Sequence, residues 1–384
     1  MNEAVIVQAV RTPFGRRGGW WSDRRPDDLM ADVILGVLGR AGLPASQVED
    51  VLVGCVSQAG EQGANIGRLA ALLAGLPETV PGVALNRMCG SSQQAVHMGA
   101  QAIAAGDMRY VVAGGVESMS RVPMFLDVTL GQREFTGFES LNPGLLQRYP
   151  LIHQIESAER IAEQWGLTRA ELDAWSMQSH ARAWAAAAEG RHTELLPGPA
   201  GTPARDEGIR ERADPAKVAA LAPALRAPGQ GNVTAAQASQ IADGAAAVLL
   251  ADRAAAVSDG LTPLARFRAR VALGSDPVLQ LTGVIPATER ALARAGLRLQ
   301  DMDWIEINEA FASVVLAWQQ TLGADPARVN PWGGAIAHGH PLGATGAGLM
   351  AKMLAGLRAT GGQFGLQVMC IGHGMATATI VERL

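Results

Sequence analysis

The sequence predicts an α/β fold of two similar halves with an extra segment inserted into the first, and three observations lead there. Short apolar runs alternate with helix-like stretches at both ends of the chain, the order that lays helices over the faces of a sheet. A glycine-punctuated turn followed by a helix and a strand occurs twice, which reads as a weak internal repeat. Between about 119 and 242 the texture changes, with charged residues and prolines gathering there, so this stretch reads as an insertion.

Taken in order, 4–10 reads as a buried strand, and a helix pattern over 26–38 starts on Pro26 and ends at Gly39 and Gly42. A second strand covers 51–56. A helix over 65–73 follows, then the segment 84–90 carrying Cys89, a helix over 91–105 and a strand over 110–115. This alternation implies a parallel sheet covered on both faces. Within the insertion, a helix with a polar face spans about 157–188. The strand pattern resumes at 244–250, and 304–308 opens a helix over 309–322. The second copy of the repeat runs from 330–340 through a helix at 345–357 to a strand at 365–369. Approximate symmetry between the halves would bring equivalent helix N-termini to one seam, where Cys89 and His340 would share a pocket.

Composition bounds the function. A chain of 384 residues with 48% apolar and 18% charged residues is long enough for two or three ordinary globular domains. No apolar run approaches the roughly 20 residues of a membrane helix, and a net charge of −4 argues against a nucleic-acid footprint. The N-terminus lacks a secretory pattern, which gives the expectation of a cytoplasmic protein. Only two lysines are present, Lys217 and Lys352, and neither lies in an evident site. Phosphate-loop, nucleophile-elbow and dinucleotide glycine motifs are absent.

Three cysteines, Cys55, Cys89 and Cys370, are too few and too odd for a disulfide framework. Cys55 lies in an apolar strand and reads as packing. Cys89 stands where a strand gives way to a helix starting Gly90-Ser91-Ser92, where helix N–H groups would lower a thiol's pKa; it reads either as a nucleophile or as a buried structural cysteine. The run from Gly333 to Gly346 presents His338 and His340 just ahead of a helix, and an imidazole there can exchange a proton with a thiol. Cys370 lies in Met369-Cys370-Ile371-Gly372-His373-Gly374 and is a second reactive-looking thiol. A metal shell of His338, His340, Cys370 and His373 is the competing reading, with loose spacing and no supporting carboxylate or Cys-x-x-Cys pair. His97, His180 and His192 read as satisfied surface or core residues.

Five motifs in register resemble the thiolase family, acyl-CoA acetyltransferases that make or break a carbon–carbon bond beside a CoA thioester. They are Asn86-Arg87-Met88-Cys89-Gly90-Ser91-Ser92, Gly114-Gly115-Val116-Glu117-Ser118-Met119-Ser120, Asn308-Glu309-Ala310-Phe311-Ala312, Gly339-His340-Pro341-Leu342-Gly343 and Cys370-Ile371-Gly372. The resemblance covers essentially the whole chain. It implies a five-layered αβαβα architecture: 1–118 with about 242–262 as the N-terminal half, 119–241 as an inserted CoA-binding loop domain, and 263–384 as the C-terminal half.

It also implies roles. Cys89 would attack the β-keto carbonyl and carry the acyl group, His340 would activate it, and Cys370 would move the proton on the acetyl carbon. One oxyanion site would use His340 with a water held by Asn308, the other the N–H groups of Cys89 and Gly372. His153, Arg210 and Ser239 would bind CoA, and Phe311 would line the pantetheine tunnel. Coenzyme A is then a substrate, no other cofactor is expected, and a homodimer or dimer of dimers is expected through the sheet edge beside the nucleophile.

Departures from the family pattern lie at Gln154-Ile155, Gln237 and Gln240, which bear on acyl preference, and at His338 and His373. Two readings of the last pair are that they meet beside the pocket and tune Cys370, or that both face solvent. The rival functions are a decarboxylating condensing enzyme of the same fold, which usually lacks a thiol at the place of Cys370, and a non-catalytic acyl-CoA or lipid-binding protein.

Overall fold

The computed structural model describes residues 2–130 and 141–384. Helices of eight residues or more are numbered here. The chain runs β1 (Ala4–Arg11), β2 (Gly15–Arg16), α1 (Pro26–Ala41), β3 (Asp50–Gly54), α2 (Ile66–Leu73), β4 (Gly82–Leu85), α3 (Ser91–Ala105) and β5 (Tyr110–Ser118). The insertion carries α4 (Gln154–Gln164) and α5 (Arg169–Ala188). There follow β6 (Ala242–Asp252), β7 (Ala265–Gly274), α6 (Val284–Ala295), β8 (Trp304–Ile307), α7 (Ala312–Leu322), α8 (Leu342–Thr360), β9 (Phe364–Ile371) and β10 (Met375–Arg383).

The strands lie in the order β4-β3-β5-β6-β1-β7-β10-β9-β8, with β2 beside β6. Each half repeats one pairing scheme. In the first, β3–β5 is parallel, and β5–β6 and β6–β1 are antiparallel. In the second, β8–β9 is parallel, and β9–β10 and β10–β7 are antiparallel. Within the sheet the halves join where Val5 and Ile6 meet Arg266 and Ala265. The sheet is therefore mixed, correcting the parallel sheet expected from local alternation. Strands β6 and β10 return antiparallel to neighbours that alternation alone does not identify.

Side chains on β6 alternate between two cores, as the period of two requires. Ala245, Ala247, Leu249 and Ala251 face α1 and α2, while Ala246, Val248 and Leu250 face a central layer holding α3 and α8. A third core packs β7–β10 against α6, α7 and the inserted α4 and α5. Helix, sheet, helix, sheet, helix is the five-layer order.

At the centre, α3 and α8 approach at backbone distance. A Cβ on Gly346 would lie 2.5 Å from the Gln93 nitrogen, and one on Gly54 would lie 2.4 Å from the Ser92 nitrogen. Ser92 Oγ accepts the Ala347 N–H at 2.9 Å, tying the two helix heads together.

Two local expectations change. The helix placed over 157–188 is two helices, broken after Gln164 where Gly166 takes φ +65° and Thr168 caps α5 with Glu171 in a reciprocal capping box. The helix placed from 309 starts at Ala312, because Asn308 is still tied to β9, its N–H donating to Val368 O at 3.0 Å.

The insertion is anchored from beneath. Arg11 at the end of β1 is 1% exposed and donates to Asp206 and Glu194, so the 194–210 stretch is fixed to the N-terminal half by a buried ion cluster.

Candidate active site

Cys89 stands between β4 and α3 in a turn built by its own residues. Asn86 Oδ1 accepts the Met88 N–H at 2.7 Å, Asn86 Nδ2 donates to Val56 O at 3.0 Å, and Ser91 Oγ accepts the Arg87 N–H at 2.9 Å. Met88 takes φ +46°, a left-handed conformation that a non-glycine residue adopts at a cost, and it turns the next residue toward the seam. The backbone N–H groups of Cys89 itself and of Gly372 favour the charged form of its sulfur. Around it lie Leu349, Met369 and Ile371, with Met88, Leu342 and Met375 packed against them.

The expected lowering of the Cys89 pKa does not occur at rest. Burial pushes the thiol up to about 12, the nearby Cys370 adds to the rise, and the two N–H groups only partly oppose it. Cys370, at the end of β9, is likewise pushed up to about 11 by burial. Both thiols are thus neutral near pH 7.

His340 is the complementary group. Its backbone N–H donates to Gln240 O at 2.9 Å, and its Nδ1 lies 2.6 Å from Thr345 Oγ1. Thr345 spends its hydroxyl proton on Pro341 O at 2.8 Å, so Nδ1 carries the proton toward threonine and Nε2 keeps its lone pair. Burial lowers the imidazole to about 4, leaving it neutral at pH 7 with Nε2 able to accept a proton. Asn308 joins the groups: its Nδ2 lies 3.4 Å from His340 Nε2 and 3.6 Å from Cys370 Sγ. Asn308 Oδ1 is buried and has no partner among the described residues, which fits a group that holds a water or a substrate atom.

Two carboxylates that the sequence reading left without a role hold this arrangement. Glu117 on β5 accepts the N–H groups of Val56, Ser57 and Gly343 and the Gln62 amide, so one side chain ties the loop after β3 to the head of α8. Glu309 accepts from Trp175 and Ser179 on α5, from Asn330 Nδ2 and from the Ile336 N–H, fastening the insertion and the loop before His340 to the residue after Asn308. An acid inside an otherwise largely apolar motif was the available signal.

A cleft in the insertion is lined by Ser176, His180, Arg210, Ala238, Gln240 and Ile336, and it leads to Gln240, whose carbonyl receives the His340 N–H. Arg210 lies in this cleft, and His180 Nδ1 accepts its backbone N–H. Ser239 sits between two lining residues and donates its N–H to Ala310 O at 3.0 Å. Phe311, buried, pairs with Ala238. His153 lies apart from the cleft, exposed, capping α4 with Nδ1 accepting the Ile155 N–H.

Residues 4–254 match the thiolase N-terminal domain and residues 261–383 the thiolase C-terminal domain. The chain belongs to the thiolase family. It is 48% identical over 393 residues to the steroid 3-ketoacyl-CoA thiolase FadA6 of Mycobacterium tuberculosis, covering 100% of this chain and 95% of that protein. A β-ketoadipyl-CoA thiolase of Acinetobacter baylyi is 42% identical over the whole of both chains. The crystal structure of the Bacillus anthracis acetyl-CoA acetyltransferase superposes with a TM-score of 0.91 at 35% identity, covering 100% of this chain and 99% of that one. This thiolase is accordingly an enzyme, a CoA-dependent acyltransferase.

The two unusual histidines of this thiolase sit in different settings. His338 is 3% exposed, with its ring edge-on to Phe14 at 5.7 Å and its Nδ1 on Gly339 O at 2.8 Å, in the electrostatic reach of Asp206 and Arg11. His373 is in the tight β9–β10 turn at φ +60°, its N–H held by Gln280 Oε1 at 3.0 Å. Neither the shared-pocket reading nor the solvent-facing one describes His338. Among the described residues no three His, Cys, Asp or Glu side chains gather as a metal shell needs.

Proposed function

We propose that Cys89 is the nucleophile of a ping-pong thiolase acting on 3-ketoacyl-CoA esters. In cleavage, Cys89 Sγ attacks the β-keto carbonyl while its proton passes to His340 Nε2. With the thiol raised and the imidazole lowered, a free thiolate is costly, so attack and proton transfer proceed together. The carbon–carbon bond then breaks, its electron pair stays on the acetyl-CoA carbon, and Cys370 supplies the proton there. CoA next attacks the thioester on Cys89 and releases the shortened acyl-CoA, the proton returning through His340 and Cys370.

Negative charge develops on two oxygens. The N–H groups of Cys89 and Gly372 serve the one on the Cys89-bound acyl carbon, and His340 with Asn308 serves the thioester oxygen of the acetyl unit. The observation that carries this reading is the Asn308 amide lying between His340 Nε2 and Cys370 Sγ. The insertion is read as the CoA-binding part, with Arg210, Ser239, His153 and Phe311 as contacts; the cleft beside Arg210 and its continuity with Gln240 support this for Arg210 and Ser239. Coenzyme A is a substrate and no other cofactor enters the scheme.

The relatives named for steroid 3-ketoacyl-CoA and β-ketoadipyl-CoA support an acyl group larger than that of acetoacetyl-CoA. A homodimer, alone or doubled to a tetramer, is supported by the open edge of β4, where Val83, Leu69, Leu72, Leu73 and Met98 leave apolar surface exposed. Three unpaired, buried thiols suit a reducing compartment such as the cytoplasm. The deciding experiment is a thiolysis panel from acetoacetyl-CoA to long and branched 3-ketoacyl-CoA esters. The reading expects CoA-dependent cleavage of one class, and no cleavage of any ester would end it.

A further inference from the structure

The residue before His340 gives it no hold of its own. Gly339 takes φ +94°, a conformation open to glycine, so the link between the helical turn Ala335–His338 and His340 is set by what grips it from either side. Gln240 grips both sides. Past the glycine, its backbone carbonyl accepts the His340 N–H at 2.9 Å. Before the glycine, its side-chain Nε2 donates to Ile336 O at 2.9 Å and Ala337 O at 3.0 Å, carbonyls of the kind that the end of a helical turn leaves unpaired. A third carbonyl, Gly208 O, accepts from the same nitrogen at 3.1 Å. Three acceptors around one atom admit only the NH2 end of the amide there. The contact at Gly208 is close: a Cβ on it would lie 2.7 Å from Gln240 Oε1 and 2.9 Å from Ala337 O. Asp206, two residues earlier, is itself held by the buried Arg11.

We infer that Gln240 is a positioning residue for His340: its amide fixes the 336–339 turn to the segment anchored at Asp206, and so holds the imidazole in place for proton exchange with Cys89. The inference rests on the proposed role of His340 as the group that takes the Cys89 proton. Its physical basis is that a base acts only within hydrogen-bond reach of the proton it takes, and a displacement of about 1 Å costs on the order of 10²-fold. Thr345 sets which imidazole nitrogen carries the proton, and Gln240 sets where the ring stands.

The test is a double-mutant cycle on the full-length enzyme, read by kcat/KM for the 3-ketoacyl-CoA ester it cleaves fastest and by the rate of Cys89 alkylation with iodoacetamide, both per folded enzyme. Gln240→Met keeps the side-chain length and removes the donor. It should lower kcat/KM by about 10-fold or more when His340 is present, and by less than about 2-fold in the His340→Gln background, where the group being positioned is already gone. Alkylation should follow the same pattern. Gln240→Glu keeps the shape but turns a carboxylate toward three carbonyl oxygens. It should be slower than Gln240→Met at pH 8 and regain activity on acidification, as the carboxyl becomes a donor, over a range where the wild type gains none. Equal losses in the two backgrounds, or a Gln240→Glu enzyme as fast as the wild type at pH 8, overturn the inference while leaving the role of His340 intact. An undiminished rate in His340→Gln alone overturns that role, and this inference with it.

Discussion

The same place in the two halves is built in opposite ways. Strands β5 and β6 pair as β9 and β10 do, yet the first pair is joined by the 119–241 insertion and the second by a tight turn at Gly372, His373 and Gly374. The long connection carries the cleft beside Arg210, while the short one supplies the Gly372 backbone N–H that favours the Cys89 thiolate. The helix heads divide likewise. α3 follows a compact turn presenting one thiol, and α8 follows the long 330–341 loop presenting an imidazole oriented by Thr345. A duplicated scaffold thus supplies equivalent positions, and the connections distinguish them: on the proposed mechanism the nucleophile comes from one half and the groups that handle protons from the other.

Substitutions at the two helix heads should break this division in graded steps. Cys89→Ala leaves no nucleophile and should lower turnover by on the order of 10⁴-fold or more with the fold retained; near-normal thiolysis would remove the first half from the chemistry. His340→Gln should cost about 10²- to 10⁴-fold in kcat/KM, the range for loss of a positioned base. Thr345→Val keeps the shape but removes the acceptor that fixes the imidazole tautomer, and roughly 10-fold loss is expected. A Thr345→Val enzyme as active as the wild type would show that the tautomer is set some other way.

The acid side of the pH profile sharpens the contrast further. His340 must be neutral to accept a proton, and burial lowers it to about 4, so kcat/KM should hold well below pH 6.5 before falling. An acid limb centred near 6.5 would contradict a buried base. Stability has the same sign: His97, lowered to about 3 by burial, and His340 stay neutral when folded but bind protons when unfolded. Each should therefore remove up to about 1.4 kcal/mol per pH unit as pH falls from about 6.5 toward its folded pKa, and none above that window. Thermal melts between pH 7.5 and 5 read this directly. The smallest effect expected is at Glu309→Gln, where one carboxylate oxygen among four donors becomes an amide, costing about 1–3 kcal/mol, read as a lower Tm.

The helix Ser91–Ala105 was legible to the residue because Gly90 and Gly106 bracket it, and Cys89, His340, Asn308 and Cys370 were legible as motif residues. Sheet direction was not, since β6 pairs with strands far away in the chain. The strand β7 alternates arginines with small apolar residues, a half-buried pattern that went unassigned along with α6 and β10. Nor was the state of Cys89: a helix head argues for a lowered pKa, and burial by Leu349, Met369 and Ile371 from the other half reverses it. His338 is hidden by Phe14, which lies at the opposite end of the sequence.

The division of labour between the halves is tested most directly by incubating the wild type and Cys370→Ala with acetyl-CoA in deuterated water. Mass spectrometry of the peptides and of the recovered ester then reports both steps at once. Acetyl on Cys89 in both proteins, with deuterium entering the acetyl methyl group only in the wild type, is the predicted result. Acetyl on another residue, or deuterium entry undiminished without Cys370, would contradict it.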